Sequence, residues 1–371
     1  MEPKTTRIMK TLLNILSIGF LLCLIGSCGN AEDDVNLDLN LDTNLGKGTT
    51  VDACLNLGEN DLILSIQEQY TTLPGKVSIF FKVSDTQGNP VSGLEADNFT
   101  IYEQGRNDAC FNTISASESF ARISPNSQIF NSNTILVLDL SNSVLSSSLA
   151  ELKTATTSFI RNVMPTVEME SFKMAIYWFD GEDSLHLLND FTDNQQELIA
   201  AVSGITETIS KDPSTDLYGA VNKATKIAEK VLNESTKKDI IGAASVVLFT
   251  DGTDQASRYT KSSALKSVEE ANANISFFSI GLGTEIDAEV LTKIGKTSSV
   301  FAGNKEELET KFNDISFRVS QQANSFYLFE YCSPKRDGSG VNNLAIQVTD
   351  GNTQGGVQTT FNSTGFTGGC N

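Results

Sequence analysis

The sequence predicts an α/β protein: a doubly wound, mainly parallel sheet over residues 131–323, beside a β-sandwich built from the segment before it, with the segment after it as a further contributor. Three observations lead there. Short apolar runs alternate with stretches of helical periodicity, the pattern of parallel strands buried on both faces by crossover helices. The polar motifs fall just after those runs, at strand carboxyl ends, where open α/β sheets bind ligands. On either side the pattern changes to short β-rich runs punctuated by Gly, Asn and Pro, as in a sandwich. A chain of 371 residues suits two domains at roughly 100–200 residues each.

Residues 1–27 read as a secretory signal. Lys4, Arg7 and Lys10 precede an apolar run from Leu12 to Ile25, and small residues follow at Gly26-Ser27. The run is too short, and too soon followed by acids, for a membrane span. Ile25-Gly26-Ser27-Cys28 resembles the bacterial lipobox, which implies cleavage before Cys28 and lipidation of its thiol; the alternative is an ordinary cleaved signal with an incidental cysteine. Gly29-Asn30 lacks the aspartate that retains such lipoproteins at the inner membrane, and Ala31-Glu32-Asp33-Asp34 resembles acidic surface-export signals. The expected location is therefore the bacterial cell envelope, as an outer-membrane lipoprotein with surface exposure as the further expectation. Residues 28–50 then form an acidic, flexible tether. Asp38, Asn40 and Asp42 have calcium-loop spacing, but Thr43 stands where an EF-hand needs glycine.

Residues 51–118 carry the first β-sandwich strands: Val77–Val83, a turn at Asp85–Pro90, and Phe99–Glu103. In the α/β segment, strands are expected at Ile135–Leu138, Phe172–Phe179, Val246–Phe249 and Ile275–Ile280. Helices are expected at Ser147–Met164, stopped by Pro165, and at Leu217–Leu232, Lys261–Ala273 and Lys305–Gln322. Residues 324–371 return to strands at Phe326–Tyr331 and Asn343–Val348.

Charge and cysteines narrow the function. Twenty-seven Lys and Arg stand against 46 Asp and Glu, a net −19. Loss of residues 1–27 leaves 24 cations and 45 acids, −21. Such a polyanion excludes a nucleic-acid partner and is compatible with divalent cations. The single histidine, His186, excludes most chemistry that needs a His base or a His-rich metal site. It lies among Leu185, Leu187 and Leu188 in an expected edge hairpin and reads as packing or surface. With Cys23 in the leader and Cys28 lipidated, Cys54, Cys110, Cys332 and Cys370 remain. Four cysteines in an exported protein suggest two disulfides with three possible pairings; Cys54–Cys110 and Cys332–Cys370 keep each bond within one flanking segment. No Cys-x-x-Cys spacing supports a thiolate metal site.

The chemistry sits in three ordered motifs. The strand Ile135–Leu138 ends in Asp139-Leu140-Ser141-Asn142-Ser143, which sends a carboxylate and two hydroxyls off one strand end. Thr215 lies in Ser214-Thr215-Asp216-Leu217-Tyr218, just before a helix, and Val246–Phe249 ends in Thr250-Asp251-Gly252. Oxygen donors of this kind suit a hard divalent cation. In conjunction these motifs resemble the von Willebrand factor A (VWA) domain and its metal-ion-dependent adhesion site (MIDAS). The stretch from Val83-Ser84-Asp85 through Pro90-Val91, Leu94, Asp97, Phe99 and Glu103 resembles the Ig-like segment that precedes many bacterial members.

The resemblance implies that Ser141, Ser143 and Thr215 offer hydroxyl oxygens to a metal. It implies that Asp139 and Asp251 act mainly through water and hydrogen-bond those hydroxyls. The ion is Mg²⁺ first, with Mn²⁺ or Ca²⁺ as alternatives, and one coordination position is left for a partner's carboxylate. Asp212 and Asp254 flank these loops; Asp216 reads as a helix-start charge rather than a ligand. Gly281-Leu282-Gly283 lacks the third glycine of a nucleotide loop, and Ser141 has no His partner for nucleophilic chemistry.

The expected function is a lipid-anchored binding or adhesion protein rather than an enzyme. It would engage an acidic residue of a protein partner through the metal and the membrane through its lipid, with no nucleic acid and no small-molecule cofactor. The alternative is a structural or assembly component of an envelope or surface complex, in which the metal mainly stabilises the fold. A metal-dependent hydrolase is disfavoured for want of a general base.

Overall fold

The computed structural model describes residues 48–115, 122–124, 130–238, 240–335 and 340–367. The signal, the lipidation residue Cys28, nearly all of the tether and Cys370 lie outside the described residues. Five strands precede the α/β segment: β1 (Leu62–Thr72), β2 (Lys76–Asp85), β3 (Phe99–Gln104), β4 (Asn112–Ile114) and β5 (Arg122–Ser124). A disulfide joins Cys54 to Cys110.

The α/β segment opens with β6 (Phe130–Asp139), whose side chains from Ser132 to Asp139 are all buried. Alternate residues point to opposite faces of a strand. Leu136 and Leu138 pack with helix residues Leu152, Phe159, Phe312 and Ile315, whereas Ile135 and Val137 pack with Leu217, Val221, Ala224 and Val268. That two-sided burial is why the run is apolar without alternation. There follow α1 (Asn142–Ser147), α2 (Leu149–Val163), β7 (Phe172–Phe179), β8 (His186–Thr192), α3 (Gln195–Ser203), α4 (Leu217–Thr236), β9 (Ile241–Thr250), α5 (Lys261–Glu269), β10 (Ile275–Leu282), α6 (Ala288–Ile294), β11 (Ser298–Ala302) and α7 (Leu308–Ala323).

The six-stranded sheet has the order β11-β10-β9-β6-β7-β8. Every pairing is parallel except β7 with β8, which makes β8 an antiparallel edge. The protein thus has an α/β fold with a mostly parallel central sheet and additional antiparallel strands.

The helix expected at Ser147–Met164 is α2, Leu149–Val163, and a short helix outside that expectation, α1, precedes it, with Ser148 between the two. Serine hydroxyls crowd the end of α1. The Ser146 and Ser147 hydroxyls donate back to the carbonyls of Asn142 and Ser143 at 2.7 and 2.6 Å, a pattern that competes with regular helix. The helix expected to reach Ala273 ends at Glu269, and α4 runs on to Thr236. Two further short helices, α3 and α6, escape the periodicity reading, but their caps are visible in the sequence: Asn194 accepts from Gln196 and Glu197 amides, and Asp287 from Val290.

The chain ends in β12 (Phe326–Cys332), β13 (Val341–Asp350) and β14 (Thr353–Asn362). These do not form a sheet of their own. Strand β12 enters the order β1-β2-β12-β5, and β13 and β14 enter β14-β13-β3-β4. Segments on both sides of the α/β region therefore share two antiparallel sheets. Val77, Ile79, Phe81, Tyr327 and Phe329 pack in one cluster with Ile101, Leu344, Ile346 and Val357. The intervening residues Phe80, Phe326 and Leu328 face the other way, onto Phe130 and Ala243. The Phe80 and Phe326 rings stack 5.7 Å apart, and the Phe130 ring lies 5.3 Å from Phe326. An apolar face on each side of β2 and β12 thus joins the flanking strands to the α/β domain. Cys332 is itself disulfide-bonded, and its expected partner Cys370 lies outside the described residues.

Candidate metal centre

Three loops converge at the carboxyl edge of the central sheet. Strands β6 and β9 are parallel neighbours, with Leu138 opposite Phe249. Their last residues therefore bring Asp139 and the Thr250-Asp251 pair to the same edge. Asp139 is wholly buried. Its Oδ1 accepts the backbone N–H of Ser141 at 2.9 Å, and its Oδ2 accepts the Thr250 hydroxyl at 2.6 Å. The first bond curls the chain after the strand and carries Ser141 back over the edge.

Ser141 occupies the N-cap position of α1, yet its hydroxyl makes no capping bond. It lies instead 3.3 Å from the Ser143 hydroxyl. Ser143 donates to Asp251 Oδ1 at 2.9 Å. Asp139, Ser141, Ser143 and Asp251 are thus gathered into one hydrogen-bonded group.

Thr215 approaches from the third loop. Its carbonyl accepts the amides of Gln255 and Ala256 at 2.8 and 3.1 Å, and the Pro213 carbonyl accepts the Asn142 amide at 3.2 Å. A Cβ placed on Gly252 would lie 3.9 Å from Thr215 Oγ1, so that hydroxyl borders the loop that carries Asp251. Thr215 makes no side-chain hydrogen bond to the other four residues.

The electrostatics are those of an uncompensated anionic pocket. Burial, and then the neighbouring charge of Asp251, push the Asp139 carboxyl up to about 7. Burial also pushes Asp251 up, and Glu285 adds like charge. Among the described residues, no Lys, Arg or His pairs with either carboxylate. Two carboxylates and three hydroxyls, all oxygen, are the donor set a hard divalent cation takes, so the residues present fit such an ion.

The other acids near these loops have structural partners. Asp216 caps α4 by accepting from Gly219 and pairs with Lys223 at 3.3 Å. Asp254 accepts the Tyr218 and Ser257 amides. Asp212 accepts the Ser214 amide and hydroxyl within its own turn. Two residues were missed from sequence. Thr250, within the Thr-Asp-Gly motif but not expected to act at the site, holds Asp139 in place. Asp180, which follows β7 as Asp139 ends β6, binds the loop before Thr215: its Oδ2 accepts from Ser210 at 2.7 Å and from the Lys211 and Asp212 amides at 3.3 and 3.4 Å. Its position at a third strand end was the available signal.

A doubly wound domain with a cluster of oxygen donors at its carboxyl edge defines a class of α/β binding module. Residues 133–317 match the family described as von Willebrand factor type A domain, and this part of the chain is a VWA domain. Solved structures with related features include BatB from Bacteroides thetaiotaomicron, 18% identical over 53% of this chain and 100% of that one, TM-score 0.41. Another is a von Willebrand factor type A protein from Catenulispora acidiphila, 9% identical over 82% and 74%, TM-score 0.43. A third is proximal thread matrix protein 1 from the mussel byssus with a zinc-occupied MIDAS motif, 13% identical over 52% and 48%, TM-score 0.41. No curated protein matches the chain in sequence. Among the described residues no helix is long and apolar enough to cross a membrane.

Proposed function

We propose that this chain is an exported, lipid-anchored adhesion or binding protein. Asp139, Ser141, Ser143, Thr215 and Asp251 would hold a divalent cation, most naturally Mg²⁺, and through it engage a carboxylate of a protein partner. One observation carries the reading: the wholly buried Asp139 and its neighbour Asp251 share a hydroxyl-lined edge with, among the described residues, no cationic side chain to balance them. Buried carboxylates without a counter-charge are costly, and a metal is the economical remedy.

When bound, the ion supplies the positive charge that attracts an acidic ligand to a protein of net −19. The chain's own residues do the rest. Thr250 and the Ser141 amide fix both oxygens of Asp139, while Asp251 orients the Ser143 hydroxyl. Neutral hydroxyls as direct donors leave most of the ion's charge for the partner. The lipid anchor at Cys28 and the outer-membrane location rest on the leader pattern, and the acidic tether would hold the domain off the bilayer. The paired flanking sheets serve as the domain's base.

The test is a peptide array displaying Glu- and Asp-containing sequences, probed with the full chain in Mg²⁺ and in chelator. The reading expects capture of acidic peptides in Mg²⁺ only, abolished by Asp139→Ala. Capture indifferent to both chelator and Asp139→Ala would overturn it.

A further inference from the structure

A second group of potential ligands lies one strand away, on the β7–β8 edge, and supplies none of the five donors of the centre above. Asp180 Oδ1, Glu182 Oε2 and His186 Nε2 lie within 4.8 Å of one another. Their separations carry information. His186 Nε2 is 3.4 Å from Glu182 Oε2 and 3.8 Å from Asp180 Oδ1. Neither qualifies as a hydrogen bond, and Nε2 is a buried atom with no hydrogen-bond partner. A buried imidazole nitrogen aimed at two carboxylates without bonding to either is an unusual arrangement, since buried polar atoms are normally satisfied. Donors at about 2.0–2.2 Å from a shared tetrahedral ion stand about 3.3–3.6 Å apart; the histidine–Glu182 separation falls in that range and the histidine–Asp180 separation lies just beyond it.

The three side chains are also held in place. Asp180 is wholly buried, and its Oδ1 accepts the Glu182 amide at 2.8 Å. Its Oδ2 is engaged by Ser210 and two backbone amides, leaving Oδ1 turned toward the histidine. His186 is the cross-strand neighbour of Trp178. Their rings stack with centroids 4.1 Å apart and planes 17° from parallel, which fixes the imidazole. Supports of this kind around ligands are what metal sites require.

We infer that Asp180, Glu182 and His186 form a second metal site, selective for a transition ion of the zinc type. One imidazole with two carboxylates favours Zn²⁺, Co²⁺ or Ni²⁺ over Mg²⁺, which prefers oxygen alone. Three protein donors leave a coordination position for water. The site does not depend on the adhesion reading, but it bears on the same edge. Asp180 grips Ser210 to Asp212, and its carbonyl accepts the Asp216 amide at 2.8 Å. An ion there would stiffen the loop that presents Thr215.

The chain's single tryptophan, Trp178, makes the test direct. Co²⁺ is titrated into the full chain while tryptophan fluorescence is recorded, in wild type, Asp139→Asn and His186→Gln. The inference expects quenching that saturates at one equivalent in wild type and persists in Asp139→Asn. Zn²⁺ should compete and excess Mg²⁺ should not. His186→Gln should weaken the Co²⁺ response at least tenfold. Glu182→Gln, at a side chain 40% exposed, supplies the same test should His186→Gln fold poorly. An unquenched wild type, or a titration unchanged in His186→Gln and Glu182→Gln, would overturn the site. Loss in Asp139→Asn alone would assign the ion to the other centre and equally overturn it.

Discussion

The Thr250 hydroxyl donates to Asp139 Oδ2 at 2.6 Å in a fully buried contact between the ends of two parallel strands. Strand pairing brings the residues together, and the bond sets the carboxylate's direction. Thr250→Val keeps the shape and removes the donor. It should cost about 1–3 kcal/mol, the usual penalty for leaving a buried polar group unsatisfied, and weaken Mg²⁺ binding. Urea unfolding and calorimetric titration check both effects.

The Asp139 carboxyl gives the metal-free protein a distinctive pH dependence. Its folded value, about 7, lies above the unfolded value near 3.9, so the folded state binds the proton more tightly. Stability should be greatest below the unfolded value and fall as pH rises between the two. Burial of Asp251 acts in the same direction. Melting temperatures in chelator should therefore drop from pH 5 to pH 8, and Mg²⁺ should recover most of the loss at pH 8 and little at pH 5. A flat profile in chelator would count against an uncompensated pair.

Metal removal also separates the two functional readings. Ligand at a hundredfold excess over its dissociation constant stabilises by about 2.7 kcal/mol. Thermal melts with and without Mg²⁺ should show a shift of that order, accompanied by metal-dependent capture of acidic peptides. A shift with capture unchanged by chelator would favour a purely structural metal and an assembly role.

The Cys54–Cys110 bond closes a loop with a sequence separation of 56, for which chain entropy suggests about 4 kcal/mol. A Cys54→Ser, Cys110→Ser double variant should lose roughly 2–4 kcal/mol by denaturant titration. Because both cysteines lie in the segment before β6, Mg²⁺ affinity should stay unchanged.

Much of this architecture was legible in the residues. Phe172–Phe179 was bounded correctly because Ser171 and Asp180 interrupt a run that is apolar apart from Lys173. The Asp139, Ser141, Ser143 and Asp251 cluster could be read because both motifs directly follow buried strands, and parallel pairing places strand ends together. The grouping of Asp180 and Glu182 with His186 was not legible. Their proximity to His186 depends on the antiparallel register of β8, with Trp178 opposite His186, which no local pattern specifies. The short helix α1 was hidden for a different reason: Asn142 to Ser147 is a mostly polar, serine-rich run too short to show helical periodicity. The mixing of N- and C-terminal strands in two sheets is a long-range pairing that the runs only suggested.

The central claim is that the edge built by Asp139 and Asp251 holds a divalent cation. Calorimetric titration of Mg²⁺ into the full chain tests it most directly, with wild type, Asp139→Asn and His186→Gln side by side. Wild type and His186→Gln should each bind one Mg²⁺ per chain, and Asp139→Asn none. Absence of Mg²⁺ binding in wild type, or an isotherm that Asp139→Asn leaves unchanged, would contradict it.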